Sequence, residues 1–492
     1  MTSKKGVTQF LIDHASRNPV SFHMPGHKGS RLYREKGYGD FLDRIIDCDI
    51  TEIPGADNLF QTEEIILETM KKYEALYNVR KSYLLINGSS AGLIAAIMAT
   101  VAEGKKLVMA RNCHKSIFNA LTLGGIEPVY AYPETIPDYN ISGEITPEEI
   151  ARCLDENPDA EAVILPSPNY YGICSDIKAI ATEVHQRGKV LIVDQAHGAH
   201  LSFFDQYING DNKKSAEALG ADLIINSTHK TLASLTQSAI LNVNSDRVDI
   251  YNLENKLQAI QSSSPSYILM ASLDINADLL SSEGKALVEG WGQHLAYFYN
   301  EAKAIPGLRV MAVPTLDYTK INIDMSELGI DGAALENLLM DDNIFVELVT
   351  GNIVMCMTGI GNTRADYDRL LASLGKIASE HCEKEAGSID AASAEVQEHH
   401  LTKEHHSIQQ TQAITTKKLQ LAQIPRETKR VPLMEAAGKV CGFSIIPYPP
   451  GIPIICPGEI MDKEVLDYVA ELRRRGEKVM GINDRGEVII GQ

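Results

Sequence analysis

The sequence predicts an α/β protein: one mostly parallel, doubly wound sheet of seven strands, then a smaller α/β unit and a C-terminal α+β unit. Three observations carry this. Between residues 61 and 290, short apolar runs alternate with longer stretches of helical pattern, the βαβα order of a sheet covered by helices on both faces. The runs are almost wholly apolar, as strands buried on both faces must be. Several of them end abruptly in polar residues, and in open α/β sheets ligands collect outside the carboxyl ends of strands.

Residues 1–60 are rich in His, Gly, Pro and Asp and read as an N-terminal arm, with a short helix near 7–17. In the large domain, 61–290, strands are expected at 82–86, 106–110, 128–131, 162–166, 190–193, 223–226 and 238–243. Helices are expected between them at 62–77, 91–101, 147–157 and 176–187. A long helix over 276–304 leads into a small α/β domain, 291–380, with strands at 308–313, 319–323 and 353–356. Residues 381–429 are dominated by Glu, His, Gln, Lys and Thr and read as a polar connector. Its paired histidines, His399-His400 and His405-His406, read as a polar linker face, not a metal site. The last unit, 430–492, carries the Pro/Gly-rich stretch Tyr448-Pro449-Pro450-Gly451-Ile452-Pro453, a helix, and a hairpin expected around Asn483-Asp484-Arg485-Gly486.

Composition narrows the function classes. The formal charge of −19, from 65 acids against 46 bases, disfavours nucleic acid and anionic membrane as partners. The eight cysteines are scattered and form no CxxC, so neither a disulfide framework nor a zinc site is expected. The start, Met1-Thr2-Ser3-Lys4-Lys5-Gly6, has no apolar signal core, and no stretch is long enough to span a membrane. A cytoplasmic protein is expected.

The chemistry gathers at strand ends. Ala221-Asp222-Leu223-Ile224-Ile225-Asn226 delivers Ser227-Thr228-His229-Lys230, and Val190-Leu191-Ile192-Val193 delivers Asp194-Gln195-Ala196-His197. An amine and an acid presented by two strands of one sheet can bracket a heteroaromatic cofactor. That pairing suggests pyridoxal 5'-phosphate: Lys230 to bond the aldehyde, Asp194 to keep the ring nitrogen protonated. A phosphate cradle is visible at Asn87-Gly88-Ser89-Ser90-Ala91-Gly92, where small residues and hydroxyls open a helix whose free N–H groups attract anions. Ser227 and His229 flank the lysine and offer further donors to that phosphate. His114, in Arg111-Asn112-Cys113-His114-Lys115-Ser116, is placed to lie over one ring face, and the small Ala196 under the other. His197 and His200 read as structural.

These residues resemble the fold type I Orn/Lys/Arg decarboxylases. The likeness runs through Phe22-His23-Met24-Pro25-Gly26-His27-Lys28-Gly29, the cradle, 111–116, 194–200, 227–230 and Gln261-Ser262-Ser263-Ser264-Pro265-Ser266-Tyr267. It continues through 447–453 and Pro457-Gly458-Glu459, thus nearly the whole chain, in a short form without an N-terminal wing domain. The resemblance implies that Lys230 is the Schiff-base lysine, that Asp194 binds the ring nitrogen, and that His114 stacks on the ring. It implies phosphate contacts from Ser89, Ser90, Ala91, Ser227 and His229, and from Ser263 across a homodimer interface. His229 or Lys230 would return a proton to the substrate α-carbon. The implied reaction is α-decarboxylation of a basic L-amino acid to CO₂ and a polyamine precursor, with arginine first, then lysine or ornithine. Glu459 and Asp49-Ile50-Thr51-Glu52 are candidates for the substrate's distal cation. Gln195 stands where relatives often carry Glu, which removes a charge near Asp194.

Two rivals remain at this level. An aminotransferase of the same fold needs an arginine from the small domain to clamp the substrate carboxylate, and Arg364 is the candidate, although its position reads better as a helix start. A non-catalytic regulator has no need to keep Lys230, Asp194 and His114 together.

Overall fold

The computed structural model describes residues 6–387, 419–422, 424–425, 427–447, 453–474, 476 and 478–492. The four paired histidines, most of the polar connector and residues 448–452 lie outside the described residues.

All seven apolar runs enter one sheet, in the spatial order Lys81–Leu85, Ala239–Val243, Leu223–Asn226, Val190–Asp194, Ala160–Pro166, Lys106–Ala110, Glu127–Ala131. Six strands point the same way. Ala239–Val243 is antiparallel to both of its neighbours. The sheet interior explains the apolar runs: Leu107, Val108, Val163, Ile164, Leu191, Ile192, Ile224 and Ile225 have no exposed surface. Each such side chain contributes about 1.5–3 kcal/mol by leaving water.

The covering helices begin where local chemistry allows. Pro147–Glu156 is capped by the Thr146 hydroxyl, which accepts from the Glu149 N–H at 3.2 Å. Ile177–Gln186 is capped by Asp176, accepting from the Ala179 N–H at 3.0 Å. Two helices that sequence reasoning did not anticipate, Lys115–Gly124 and Ile250–Ile260, complete the layers. The long helix starts at Tyr267, capped by Ser266, and runs unbroken to Glu301. A domain boundary at 290 therefore falls inside one helix.

The small unit holds a four-stranded sheet, ordered Arg309–Val310, Lys320–Asp324, Ile353–Met357, Leu348–Thr350, the last strand being unanticipated. The N-terminal arm is stitched to this unit, because Val20–Phe22 pairs in parallel with Ile344–Val346. The arm then passes under the lysine loop: the Gly26 N–H donates to the His229 carbonyl at 2.7 Å, and the Gly361 N–H to the Gly26 carbonyl at 2.9 Å. A Cβ at Gly26 would collide with the Thr231 and Leu232 main chain. Gly26→Ala is therefore expected to destabilise the protein by about 1–3 kcal/mol, the usual cost of overpacking, and to weaken cofactor retention by displacing Lys230. Thermal melts with and without cofactor check both.

The C-terminal unit has its own core, including Leu433, Val465, Leu466, Val469, Val488 and Ile490. The expected hairpin is corrected here. Asn483 and Gly486 do form a turn, the Gly486 N–H donating to the Asn483 carbonyl at 2.9 Å. Yet the flanking strands part: Glu487–Gly491 pairs with Thr428–Pro432, and Val479–Met480 with Ile446–Pro447. Distant partners outcompete the local pairing.

Candidate active site

A cleft opens at the carboxyl ends of the parallel strands, lined by Ser89, Leu93, His114, Pro166, Pro168, Tyr170, Asp194, Ala196, His197 and Lys230. Of the residues singled out in the sequence, Ser89, His114, Asp194, Ala196 and Lys230 meet on its wall. Each comes from the end of a different strand or its following loop, except Asp194 and Ala196, which share one.

Lys230 sits on a one-turn helix, Thr228–Thr231, just past Leu223–Asn226. Burial lowers its ammonium below the usual lysine range, Lys320 adds to this, and Asp194 and Glu347 oppose it. Asp194 closes the adjacent strand. Its Oδ1 accepts from the Ala196 N–H at 3.1 Å, and burial raises its carboxyl against the pull of Lys230.

His114 caps the helix Lys115–Gly124. The Ser116 hydroxyl, at 2.8 Å, and the Ser116 N–H, at 3.3 Å, both converge on Nδ1, which puts the ring proton on Nε2. Burial first, then the charges of Lys230 and Lys115, push its pKa down to about 3, so the ring is a neutral plane. The capping role and the place on the cleft wall coexist.

The cradle is a strand–turn–helix. Asn87 precedes the helix Gly88–Thr100, and Gly88 has φ +77°, a backbone state that disfavours any side chain. The first-turn N–H groups have no intrahelical acceptor. Ser90 and the buried Ala91 follow on that turn and do not line the cleft. Ser227 is fully buried, and its Oγ has no hydrogen-bond partner.

His229 is placed differently from Lys230. Its Nδ1–H donates to the Ser238 carbonyl at 2.8 Å, it does not line the cleft, and burial pushes its pKa down to about 4. Ser263 is exposed and outside the cleft. Residues 49–52 are also exposed and do not line it. Glu459 is fully buried and held by Arg111 at 3.0 Å, so it is spent on a structural cation and cannot meet a substrate's distal cation.

Five residues of the cleft wall escaped sequence reasoning: Leu93, on the cradle helix, and His197, Pro166, Pro168 and Tyr170. His197 is not merely structural: it lines the cleft, packs against Tyr170 at a tilt with ring centroids 4.9 Å apart, and its buried Nδ1 has no partner among the described residues. Its main chain is fixed by the small unit, since Lys320 Nζ donates to the His197 carbonyl at 2.9 Å and to Asp317 at 3.0 Å. Pro166 ends the Ala160–Pro166 strand and Pro168 and Tyr170 follow it, so the strand-end rule that found Lys230 would have found them too. His200, by contrast, is structural, bonded to Thr231 and Asp317. A carboxyl group does stand near Gln195: its Nε2 donates at 2.8 Å to buried Glu217, which also accepts from Asn226 and Asn242 and whose pKa burial raises.

The depressed histidines give a signed pH dependence. The unfolded chain takes up imidazole protons near pH 6.5, whereas folded His229 and His114 wait until about 4 and about 3. In that window the unfolded state binds more protons, so stability falls as pH drops. Asp194, with its raised carboxyl, works in the opposite sense. The melting temperature of cofactor-free protein should fall from pH 7 to 4.5, and His229→Gln should flatten the slope; a flat parental profile contradicts this.

The residues fit pyridoxal phosphate. An amine and a carboxylate share the cleft with a neutral imidazole plane, a small residue and a helix N-terminus, and two buried polar atoms, Ser227 Oγ and His197 Nδ1, await partners.

Known proteins agree. Residues 6–300 match the family model of the Orn/Lys/Arg decarboxylase major domain, and residues 399–485 that of the Orn/Lys/Arg decarboxylase C-terminal domain. The chain belongs to the Orn/Lys/Arg decarboxylase family. It is a fold type I, pyridoxal-phosphate-dependent decarboxylase of basic amino acids. An arginine decarboxylase of Bacillus subtilis is 31% identical over 96% of this chain and 94% of its own length. One from Halalkalibacterium halodurans is 32% identical over the same shares. The lysine decarboxylase LdcA of Pseudomonas aeruginosa is 20% identical, over 93% of this chain and 74% of its own. Among solved structures, the Francisella novicida lysine decarboxylase superposes with a TM-score of 0.77 at 21% identity, covering 95% of this chain and 78% of that one. No helix among the described residues is long and apolar enough to cross a membrane.

Proposed function

We propose that this decarboxylase acts on arginine in preference to lysine or ornithine, with Lys230, Asp194 and His114 as its central residues. The observation that carries the site is the meeting of these three side chains on one cleft wall. Arginine as first substrate is supported by arginine decarboxylases at 31–32% identity over nearly the full chain, against 20–23% for the lysine enzymes.

Bound pyridoxal phosphate supplies the electron sink for the pair left on the substrate α-carbon when CO₂ departs. Lys230 offers the amine that bonds the cofactor, and Asp194 a carboxylate for its ring nitrogen through a charge-assisted hydrogen bond of about 1.5–3 kcal/mol. His114 and Ala196 would flank the ring, with the first turn of Gly88–Thr100 and Ser227 holding the phosphate. His197 Nδ1 is a further donor or acceptor on the same wall. Leu93, Pro166 and Pro168 give the cleft an apolar wall that would limit water at the reacting carbon. Lys230 Nζ, easily neutral because it is desolvated, is our choice for returning a proton to that carbon. His229 is less suited, since its ring is tied to Ser238.

A homodimer is part of the proposal. Ser263 is free to serve a neighbouring site, and the helix Val7–Ser16 leaves Val7, Phe10, Leu11 and Ile12 more than half exposed, an apolar face suited to a second copy. The eight free cysteines suit a reducing cytoplasm. The aminotransferase reading loses its candidate: Arg364 begins the helix Arg364–Gly387, pairs with Asp368 at 3.0 Å and lies over Tyr297, not in the cleft. Incubating the holoenzyme separately with arginine, lysine and ornithine should give agmatine fastest and no keto acid. Faster release of cadaverine or putrescine overturns the substrate order, and a keto acid overturns the reaction.

A further inference from the structure

Two described parts of the C-terminal unit, Pro453-Ile454 and Glu459, converge on one arginine of the large domain. Arg111 is 4% exposed. Its Nε and Nη2 donate to the two carboxylate oxygens of Glu459, both at 3.0 Å, while Nη1 donates to the Pro453 carbonyl at 2.8 Å and Nη2 to the Ile454 carbonyl at 2.9 Å. Glu459 is fully buried and also accepts from the Cys456 N–H at 2.7 Å. The guanidinium rests 5.4 Å from the Tyr130 ring centroid.

Neither Arg111 nor Glu459 lines the cleft, but His114, three residues past Arg111, does. The link between them is short and tied at both ends. The Arg111 N–H donates to the Ala131 carbonyl at 2.8 Å, the Cys113 N–H to the Ala110 carbonyl at 3.1 Å, and His114 then caps its helix. Asn112 and Cys113 between them are buried. A shift of the guanidinium has little room to dissipate before it reaches the imidazole.

Stability alone is a poor reason for such a pair, since apolar residues of similar volume often do as well as a buried ion pair. A bidentate fork adds fixed orientation. We propose that Arg111 and Glu459 are positioning residues: docking of the C-terminal unit on Arg111 sets the place of His114 against the cofactor. The C-terminal unit is then a working part of the active site, although none of its described residues lines the cleft. This rests on the reading that His114 contacts the cofactor.

The test is a double-mutant cycle on full-length holoenzyme, reading the cofactor dissociation constant and the visible circular dichroism of bound cofactor. Glu459→Gln should weaken cofactor binding on the order of tenfold and change the dichroism, with the far-ultraviolet spectrum unaltered. In a His114→Ala background the same substitution should add little. Arg111→Lys, which keeps the charge but loses the fork, gives the same readout if Glu459→Gln does not fold. Parental affinity and dichroism in the Glu459 and Arg111 variants, beside a changed His114→Ala, overturn the positioning role alone. So does full additivity in the double variant. If His114→Ala itself leaves both readouts unchanged, the contact between His114 and the cofactor is wrong, and the positioning role falls with it.

Discussion

Lys230→Ala is expected to abolish decarboxylation, by about 10⁴-fold or more, and to remove the visible absorbance of enzyme-bound cofactor. The expectation follows from position. Lys230 is the lysine on the cleft wall, its ammonium is lowered by burial, and no hydrogen bond or ion pair among the described residues engages its Nζ. The fold should survive. The side chain ends in a cavity, and the loop is held by main-chain bonds, such as the Lys230 N–H to the Ser227 carbonyl at 3.1 Å. Residual turnover within tenfold of the parent, with the absorbance retained, would place the chemistry on another amine.

Asp194→Asn should lower kcat by about 10²–10³-fold, the scale of a preorganised electrostatic contact, while leaving the cofactor bound to Lys230. The asparagine keeps the shape and can keep the acceptor for the Ala196 N–H, now 3.1 Å from Oδ1. It cannot hold a proton on the ring nitrogen, so the electron sink weakens. Absorbance retained with turnover lost is the signature that separates this variant from Lys230→Ala. Turnover within a few-fold of the parent would remove Asp194 from its assigned role.

The large sheet was legible because most of its strands are apolar runs buried on both faces, as Leu107–Ala110 and Leu191–Val193 show, the edge strand Glu127–Ala131 being only partly buried. The cleft was legible in part for the same reason: such runs stop where the chain reaches the carboxyl edge, which exposed Lys230, Asp194 and His114 to inspection. What stayed hidden depends on partners far apart in sequence. Val20 meets Ile344, and Arg111 meets Glu459, without any local pattern announcing either pair. Ala239–Val243 looks like every other apolar run, and only the packed sheet shows that it runs backwards. In sequence Glu459 reads as a candidate for a substrate cation because its own cation, Arg111, lies 348 residues away. In sequence His197 reads as structural because its neighbour Tyr170 arrives from another strand end.

Three buried or half-buried lysines surround the site, and this makes the central claim sharply testable. Lys28, whose pKa burial lowers to about 7, donates to the His23 carbonyl at 2.6 Å and the Met357 carbonyl at 3.1 Å. Lys320 is held by Asp317, Thr319 and the His197 carbonyl. Lys230 is the one on the cleft wall. Borohydride reduction of cofactor-loaded protein, followed by peptide mapping, fixes the cofactor to whichever amine carries it. The account predicts a single modified peptide containing Lys230; modification at Lys28 or Lys320 with Lys230 untouched would contradict it.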